Sequence, residues 1–179
     1  MAYEVEIKAH AYPELKSVID DFTKSCGKEV NKDDIYFAFP GDTSPRFRIR
    51  DEGDNLLITA KKNHRENGLE CNEELEFSHP VKDKDVMIQM AHMLGYVEFI
   101  RKEKKGYEWH YHDVHIELLN VKTLGWYLEM EIISDTNDKD KNLDKILLLY
   151  SILDSVGIFR CDIESKSYQQ MLREEKEKQ

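Results

Sequence analysis

Apolar and charged positions alternate with a period of two at the start of the chain. Glu4, Glu6 and Lys8 fall on one parity, with Val5 and Ile7 between them. That alternation predicts a strand over about 2–10, with charge on one face and β-branched apolar side chains on the other. The layout recurs in five later segments. Arg46, Arg48 and Arg50 alternate with Phe47 and Ile49, and Thr59 and Lys61 with Ile58 and Ala60. Glu74 and Glu76 alternate with Leu75 and Phe77, Lys102 and Lys104 share one parity, and Glu129 and Glu131 alternate with Leu128, Met130 and Ile132. Further strands are predicted at about 32–39, 45–52, 55–62, 70–78, 96–105, 107–112, 114–120 and 126–133. Residues 51–55 and the pair Leu124-Gly125 supply turns.

Between the strands the period changes to that of a helix. Pro13 is placed to open a first helix at its N1 position, Leu15, Val18, Ile19 and Phe22 form its stripe, and Gly27 would close it. A second helix over about 83–94 carries Met87, Met90, Ala91 and Leu94 and stops at Gly95; Met93 is read as packing too. A third over about 139–156 carries Leu143, Ile146, Leu147, Tyr150 and Leu153, and a last helical segment begins near Glu164. The Glu/Lys-rich tail beyond Leu172 reads as solvated. The order is not a regular βαβ alternation, so the fold class is α+β, an antiparallel sheet with helices on one side. Without an internal repeat or a Pro/Gly/Ser linker, residues 1–179 read as one domain.

Helices with apolar stripes must bury them, and the apolar face of the strands is the surface available. The charged face is then the one turned away from the helices. A sheet that curls would convert this face into a lumen lined by both signs of charge. Arginine and lysine hold phosphate oxygens, and carboxylates hold a hard cation such as Mg²⁺ or Mn²⁺. A polyanion with its metal would neutralise the walls and be neutralised by them.

Composition narrows the classes. At 179 residues the chain can bury about two-thirds of its unfolded surface. The net charge of -10 argues against a general nucleic-acid binder. No apolar run approaches the roughly 18 residues of a membrane helix, and the start has no apolar leader, which predicts a cytoplasmic protein. Cys26, Cys71 and Cys161 are scattered and read as reduced thiols. His110, His112 and His115 cluster with Trp109 and Tyr111; His110 and His112 share a parity, which would allow a metal pair, and are read first as lying on an outer strand face, while Arg46 is placed either at the lumen mouth or in solvent.

The ordered set of charged motifs resembles the CYTH family, the triphosphate tunnel metalloenzymes. Glu4-Val5-Glu6-Ile7-Lys8 is similar to its N-terminal ExExK. Asp34-Ile35-Tyr36, Arg48-Ile49-Arg50, Lys61, Glu74-Leu75-Glu76, Lys102-Glu103-Lys104, Leu124-Gly125 with Glu129-Met130-Glu131, and Lys166-Ser167-Tyr168 before Leu172 match the remaining pieces in order. The resemblance runs from residue 4 to about 172 and implies a closed antiparallel barrel of about eight strands with helices outside. Two positions depart from the family pattern. Asn72 stands where many relatives have Arg, and Leu119 where an Asp is common, with Glu117 of the same parity as a substitute.

The resemblance implies a divalent-metal-dependent enzyme acting on a nucleotide or another triphosphate. Lys8, Arg48, Arg50, Lys61, Lys102 and Lys104 would hold the triphosphate, and Glu4, Glu6, Glu129 and Glu131 would hold Mg²⁺ or Mn²⁺. Glu74, Glu76 and Glu117 are further candidates for metal or for ordering the basic groups. Tyr36 and Lys61 are the catalytic candidates. Two reactions stay open: a class IV adenylyl cyclase reaction, from ATP to cyclic AMP and pyrophosphate, and hydrolysis of thiamine triphosphate, inorganic triphosphate or a nucleotide. A module that binds triphosphate without turnover is a third option. A homodimer is compatible with this branch of the family and is fixed by no residue pattern.

Overall fold

The computed structural model describes the backbone of residues 3–62, 65–66 and 69–178, and the side chains of these outside 61–74. Nine strands and four α-helices follow in the order β1 (Tyr3–His10), α1 (Leu15–Thr23), β2 (Lys28–Ala38), β3 (Phe47–Asp51), β4 (Asn55–Lys62), β5 (Arg65–Glu66), β6 (Leu69–Pro80), α2 (Lys84–Met93), β7 (Val97–Tyr111), β8 (Val114–Val121), β9 (Gly125–Ser134), α3 (Leu143–Ser155) and α4 (Tyr168–Glu177). Setting aside the two-residue β5, eight antiparallel strands curl into a half-barrel in the order β1-β9-β8-β7-β2-β3-β4-β6. β1 lies in register with β9, Glu6 opposite Glu131, and carries a second antiparallel pairing to β6, Val5 opposite Cys71.

Every predicted strand is present, and the alternation sets which face is apolar. Val5, Ile7, Ile116, Leu118, Leu128, Met130 and Ile132 point outward into one core, closed over by Leu15 and Ile19 of α1 and by Ile146, Leu149, Ile152 and Leu153 of α3. Ile35, Phe37, Ile49 and Leu56 form a second outward core under Met87, Ile88 and Ala91 of α2. Fully burying each such side chain contributes about 1.5–3 kcal/mol. No helix covers the outer side of β6, where Leu75 and Phe77 are exposed.

Several local expectations are corrected. The 96–105 and 107–112 segments form one continuous strand, β7, that runs through Gly106. That glycine permits a close approach rather than a turn: a Cβ there would lie 2.0 Å from the carbonyl oxygen of Leu118. Gly27 does not close α1; Lys24 takes the left-handed conformation there (φ 56°). A Cβ on Gly27 would instead meet the Trp109 ring at 2.4 Å. Pro13 precedes α1 by two residues rather than occupying its first position. Met90, Met93 and Leu94 of the second stripe, and Leu143 and Leu147 of the third, are exposed. The tail beyond Leu172 is helical to Glu177.

The fourth helix departs most from the expectation of helices outside. Ser167 caps α4 by accepting from the Gln170 N–H. Its Tyr168, Met171 and Leu172 pack against Val121, Tyr127, Tyr36 and Ile100, which share parity with the charged inner residues. α1, α2 and α3 back the sheet from outside, whereas α4 covers the inner face at one end.

Candidate active site

The inner face encloses a cavity of about 700 Å³, within the size range of small-molecule sites. Period-two side-chain direction brings one parity of each strand into it. Glu4, Glu6 and Lys8 enter from β1, Arg48 and Arg50 from β3, Lys102 and Lys104 from β7, Glu117 from β8, and Glu129 and Glu131 from β9. Tyr36, Thr59, Glu76 and the segment Ser167–Gln169 complete that part of the wall. Arg46 reaches the rim, where it is exposed and paired with Asp42 at 2.8 Å. Lys61 and Glu74 stand opposite each other in the β4–β6 register, and their side chains lie outside the described residues.

The basic wall is assembled on a residue to which the sequence assigned no role. Asp34 is fully buried. Its Oδ1 accepts from Arg50 Nε at 2.7 Å, and its Oδ2 accepts from Arg50 Nη2 at 3.2 Å and from the Tyr36 hydroxyl at 3.3 Å. Lys102 Nζ lies 3.1 Å and Arg48 Nη1 3.8 Å from the same Oδ2. Burial pushes the Asp34 carboxyl upward, but the charges of Arg50, Lys102 and Arg48 outweigh it and hold the group well below the usual carboxylate range. Burial lowers Lys102 despite Asp34. The Tyr36 hydroxyl is pushed up to about 12, first by burial and then by the Asp34 charge. Arg48 Nη2 also donates to Thr59 Oγ1 at 2.9 Å, and Thr59 donates to Glu76 at 2.9 Å. Asp34 aligns with Arg50 and Tyr36 with Arg48 across β2–β3. The parity of Asp34-Ile35-Tyr36 was the one sequence signal for this hub.

Tyr168 organises the end sealed by α4. Its hydroxyl donates to Glu129 Oε1 at 2.7 Å, and Lys104 Nζ donates to both oxygens of Glu129 at 2.9 and 3.1 Å. Three ammonium groups surround the Tyr168 ring, Lys8 at 4.4 Å, Lys102 at 4.9 Å and Lys104 at 5.2 Å from its centroid. The ring's negative face offsets the repulsion among them. Lys8 also donates to the Lys166 carbonyl. Glu129 is held far below the usual carboxylate range: burial opposes this, and Lys104 and Lys102 overcome it.

The carboxylates lie across the β1–β9–β8 rows, Glu6 opposite Glu131, Lys8 opposite Glu129, and Glu129 opposite Glu117. Glu4, Glu6, Glu129 and Glu131 line this side of the cavity, and carboxylate oxygens are the donors that suit a hard divalent cation; Glu108, His115 and Glu117 are the residues whose donor atoms converge among those described. Leu119 is fully buried beside Gly106, and the carboxylate this strand supplies is Glu117, which pairs with buried Lys32. His110 does not face outward as expected; it lines the cavity and stacks on His115, while His112 sits in the β7–β8 turn. His115, which the sequence marks only as part of a histidine cluster, and Glu108, which it does not mark, are both cavity residues; neither belongs to a repeated charged pair that would have placed it in the lumen. Burial lowers the His115 ring, but its hydrogen bond to Glu131 and the nearby Glu117 raise it further than burial lowers it.

A curled antiparallel sheet with cations and carboxylates on its inner face is the arrangement of the CYTH family, and the chain belongs to that family: its domain model matches residues 2–160. A Methanocaldococcus jannaschii protein named "Putative adenylate cyclase MJ0240" is 34% identical over 175 residues, covering 92% of this chain and 95% of that one. Among solved structures, a Pyrococcus horikoshii protein superposes with a TM-score of 0.74 at 21% identity, covering 93% of this chain and 98% of that one. A Hippeastrum "putative adenylyl cyclase", described as having a dominant triphosphatase activity, superposes with a TM-score of 0.67 at 17% identity, covering 98% and 96%. Among the described residues, no helix is long and apolar enough to cross a membrane.

Proposed function

We propose that residues 1–179 form a single triphosphate-processing domain that converts ATP to cyclic AMP and pyrophosphate with a divalent cation, Mg²⁺ or Mn²⁺. The observation that carries this reading is the division of one cavity into a basic wall built on Asp34 and Tyr168 and a carboxylate row from β1 and β9. The β1–β6 register supports closure of the half-barrel into a tunnel around the substrate. The name of the 34% identical relative supports the choice of reaction.

Arg48, Arg50, Lys8, Lys102 and Lys104 hold the triphosphate, with Lys61 joining them from β4. Their charges stabilise the phosphoryl oxygens as charge develops, which is most of what such chemistry asks of a protein. Asp34 fixes the direction of Arg50 and Lys102. Tyr36 stays protonated at neutral pH and serves as a hydrogen-bond donor rather than a base. Glu4, Glu6, Glu129 and Glu131 hold the cation, with Glu74, Glu76 and Glu117 supporting the row. The cation supplies charge neutralisation at the phosphates and lowers the pKa of the attacking group. The ribose 3′ oxygen forms a bond to the α-phosphorus and gives its proton to solvent water, and the bond from the α-phosphorus to the bridging oxygen breaks as pyrophosphate leaves.

Hydrolysis is the second reading, supported by the activity described for the Hippeastrum protein. Here water attacks the terminal phosphorus of thiamine triphosphate, inorganic triphosphate or a nucleotide, the bond to the bridging oxygen breaks, the diphosphate departs, and the attacked group is released as orthophosphate. Purified protein given each substrate with Mg²⁺ or Mn²⁺ separates the readings by chromatography. Cyclic AMP with pyrophosphate is expected from ATP; orthophosphate without cyclic nucleotide moves the assignment to triphosphatase. Glu6→Gln should abolish turnover in either case, and Arg48→Ala should weaken triphosphate binding by about 1.5–3 kcal/mol. Binding without any product would make this a triphosphate-binding module.

A further inference from the structure

The β7–β8 side of the cavity holds a cluster around His115 and Glu108, two residues that the proposed reaction does not use. His115 stands opposite Glu131 on β9 and opposite His110 on β7, and Glu117 stands opposite Glu108. Two contacts fix the His115 ring. Its Nδ1 lies 3.1 Å from Glu131 Oε1, and its plane stacks on His110 with centroids 4.8 Å apart. A carboxylate on Nδ1 holds the proton there and leaves the lone pair on Nε2, the arrangement that orients metal-ligating histidines.

That Nε2 is buried and makes no hydrogen bond among the described residues. Facing it are two carboxylate oxygens, Glu108 Oε2 at 3.5 Å and Glu117 Oε1 at 3.8 Å. A lone pair turned toward two carboxylates is repulsive unless a proton or a metal cation lies between them, and the three groups compete for either one. The three donor atoms converge within 4.8 Å of one another. Ligands of a tetrahedral ion at about 2.1 Å lie about 3.4 Å apart, so small side-chain movements would close this set around an ion.

We propose that His115, Glu108 and Glu117 form a second cation site that takes a borderline divalent ion, Zn²⁺, Co²⁺ or Mn²⁺, in preference to Mg²⁺. One imidazole nitrogen among carboxylates gives that preference, since Mg²⁺ selects oxygen donors. Three protein ligands leave a fourth position open toward the cavity. Two lysines already touch these carboxylates. Lys28, 78% exposed, pairs with Glu108 at 2.8 Å and is easily released. Lys32, buried, donates to the same Glu117 oxygen that faces His115, so it shares that carboxylate with the ion and limits its affinity. The site adjoins the Glu4, Glu6, Glu129 and Glu131 set and meets it through Glu131, which holds His115, and through Glu117, which lies opposite Glu129.

The test uses the full chain, stripped with chelator and titrated with Co²⁺ and Zn²⁺. One equivalent of Co²⁺ should give the visible spectrum of an imidazole-ligated ion, resist displacement by millimolar Mg²⁺, and persist in Glu4→Gln/Glu6→Gln. His115→Ala should weaken it at least about 10-fold. Nitrogen-15 NMR of the unsubstituted protein covers the case in which that variant fails to fold: Zn²⁺ should shift the His115 Nε2 resonance. An Nε2 that stays protonated and unshifted at saturating Zn²⁺ would mean that a proton fills the position, and the proposal would fall. Equal Co²⁺ binding in a folded His115→Ala would also overturn it. Either result leaves the proposed reaction intact, because that reaction is read from Mg²⁺-supported turnover and its loss in Glu6→Gln.

Discussion

Asp34 carries one negative charge among Arg50, Lys102 and Arg48, at the bottom of a cavity that would receive a polyanion. Without it, three buried or half-buried cations would lose their shared carboxylate, with Glu76 at 3.9 Å from Arg48 and Glu52 at 4.0 Å from Arg50 as more distant partners. Removing one partner of a buried ion pair typically costs about 3–5 kcal/mol, and Asp34→Asn should destabilise the protein by that order in urea unfolding. The pH dependence follows from the same group. Its carboxyl is depressed in the folded state, so its contribution is fully present above the unfolded value of about 3.9 and is lost as pH falls toward the folded value. Unfolding free energy should decline on acidification below about pH 4–5, more steeply in the unsubstituted protein than in Asp34→Asn. Most site residues were legible at this scale because parity alone sends them to one face. The hub role of Asp34 was not, because it depends on four partners from three strands meeting at one point.

At the scale of elements, strands were easier to read than helices. Alternation fixes a strand face unambiguously, and the charged residues of these pairs whose side chains are described line the inner side as expected. The Ile146–Tyr150 run of α3 is continuously apolar and fits more than one helical stripe. Packing against β1 and β9 selects Ile146, Leu149, Ile152 and Leu153 and leaves Leu143 and Leu147 outside. Gly106 was misread as a break for a related reason: a glycine in a strand marks either a turn or a close approach, and only the neighbouring strand tells which. Gly106→Ala would drive a Cβ into the Leu118 carbonyl, so β7 and β8 must separate locally. A loss of about 1–3 kcal/mol is expected from such overpacking, read as a lower thermal midpoint.

For the molecule as a whole, net charge conceals how the charge is arranged. The chain carries -10 overall, yet its cavity sets Lys8, Arg48, Arg50, Lys102 and Lys104 against Glu4, Glu6, Glu117, Glu129 and Glu131. Composition therefore argued against a general nucleic-acid surface without revealing this basic wall, which only the curl of the sheet creates. The sealing of one end by α4 was equally hidden. Its apolar positions Tyr168, Met171 and Leu172 look like those of any surface helix until Val121 and Tyr127 are seen to be their partners.

The pairing of β1 also governs the order of events during folding. Glu4 meets Ile133, and Lys8 meets Lys166, so β1 has no complete partnership until almost all of the chain that follows it here has emerged. The β2–β3–β4 and β7–β8–β9 meanders can form from local contacts while β1 waits. Long-range closure of this kind is slow. Stopped-flow refolding should show early strand signal preceding burial of Trp126 and Tyr127, whereas fragments ending before β9 should remain unfolded. A fragment that acquires full cooperative stability without β9 would show that β1 is not the last strand to join.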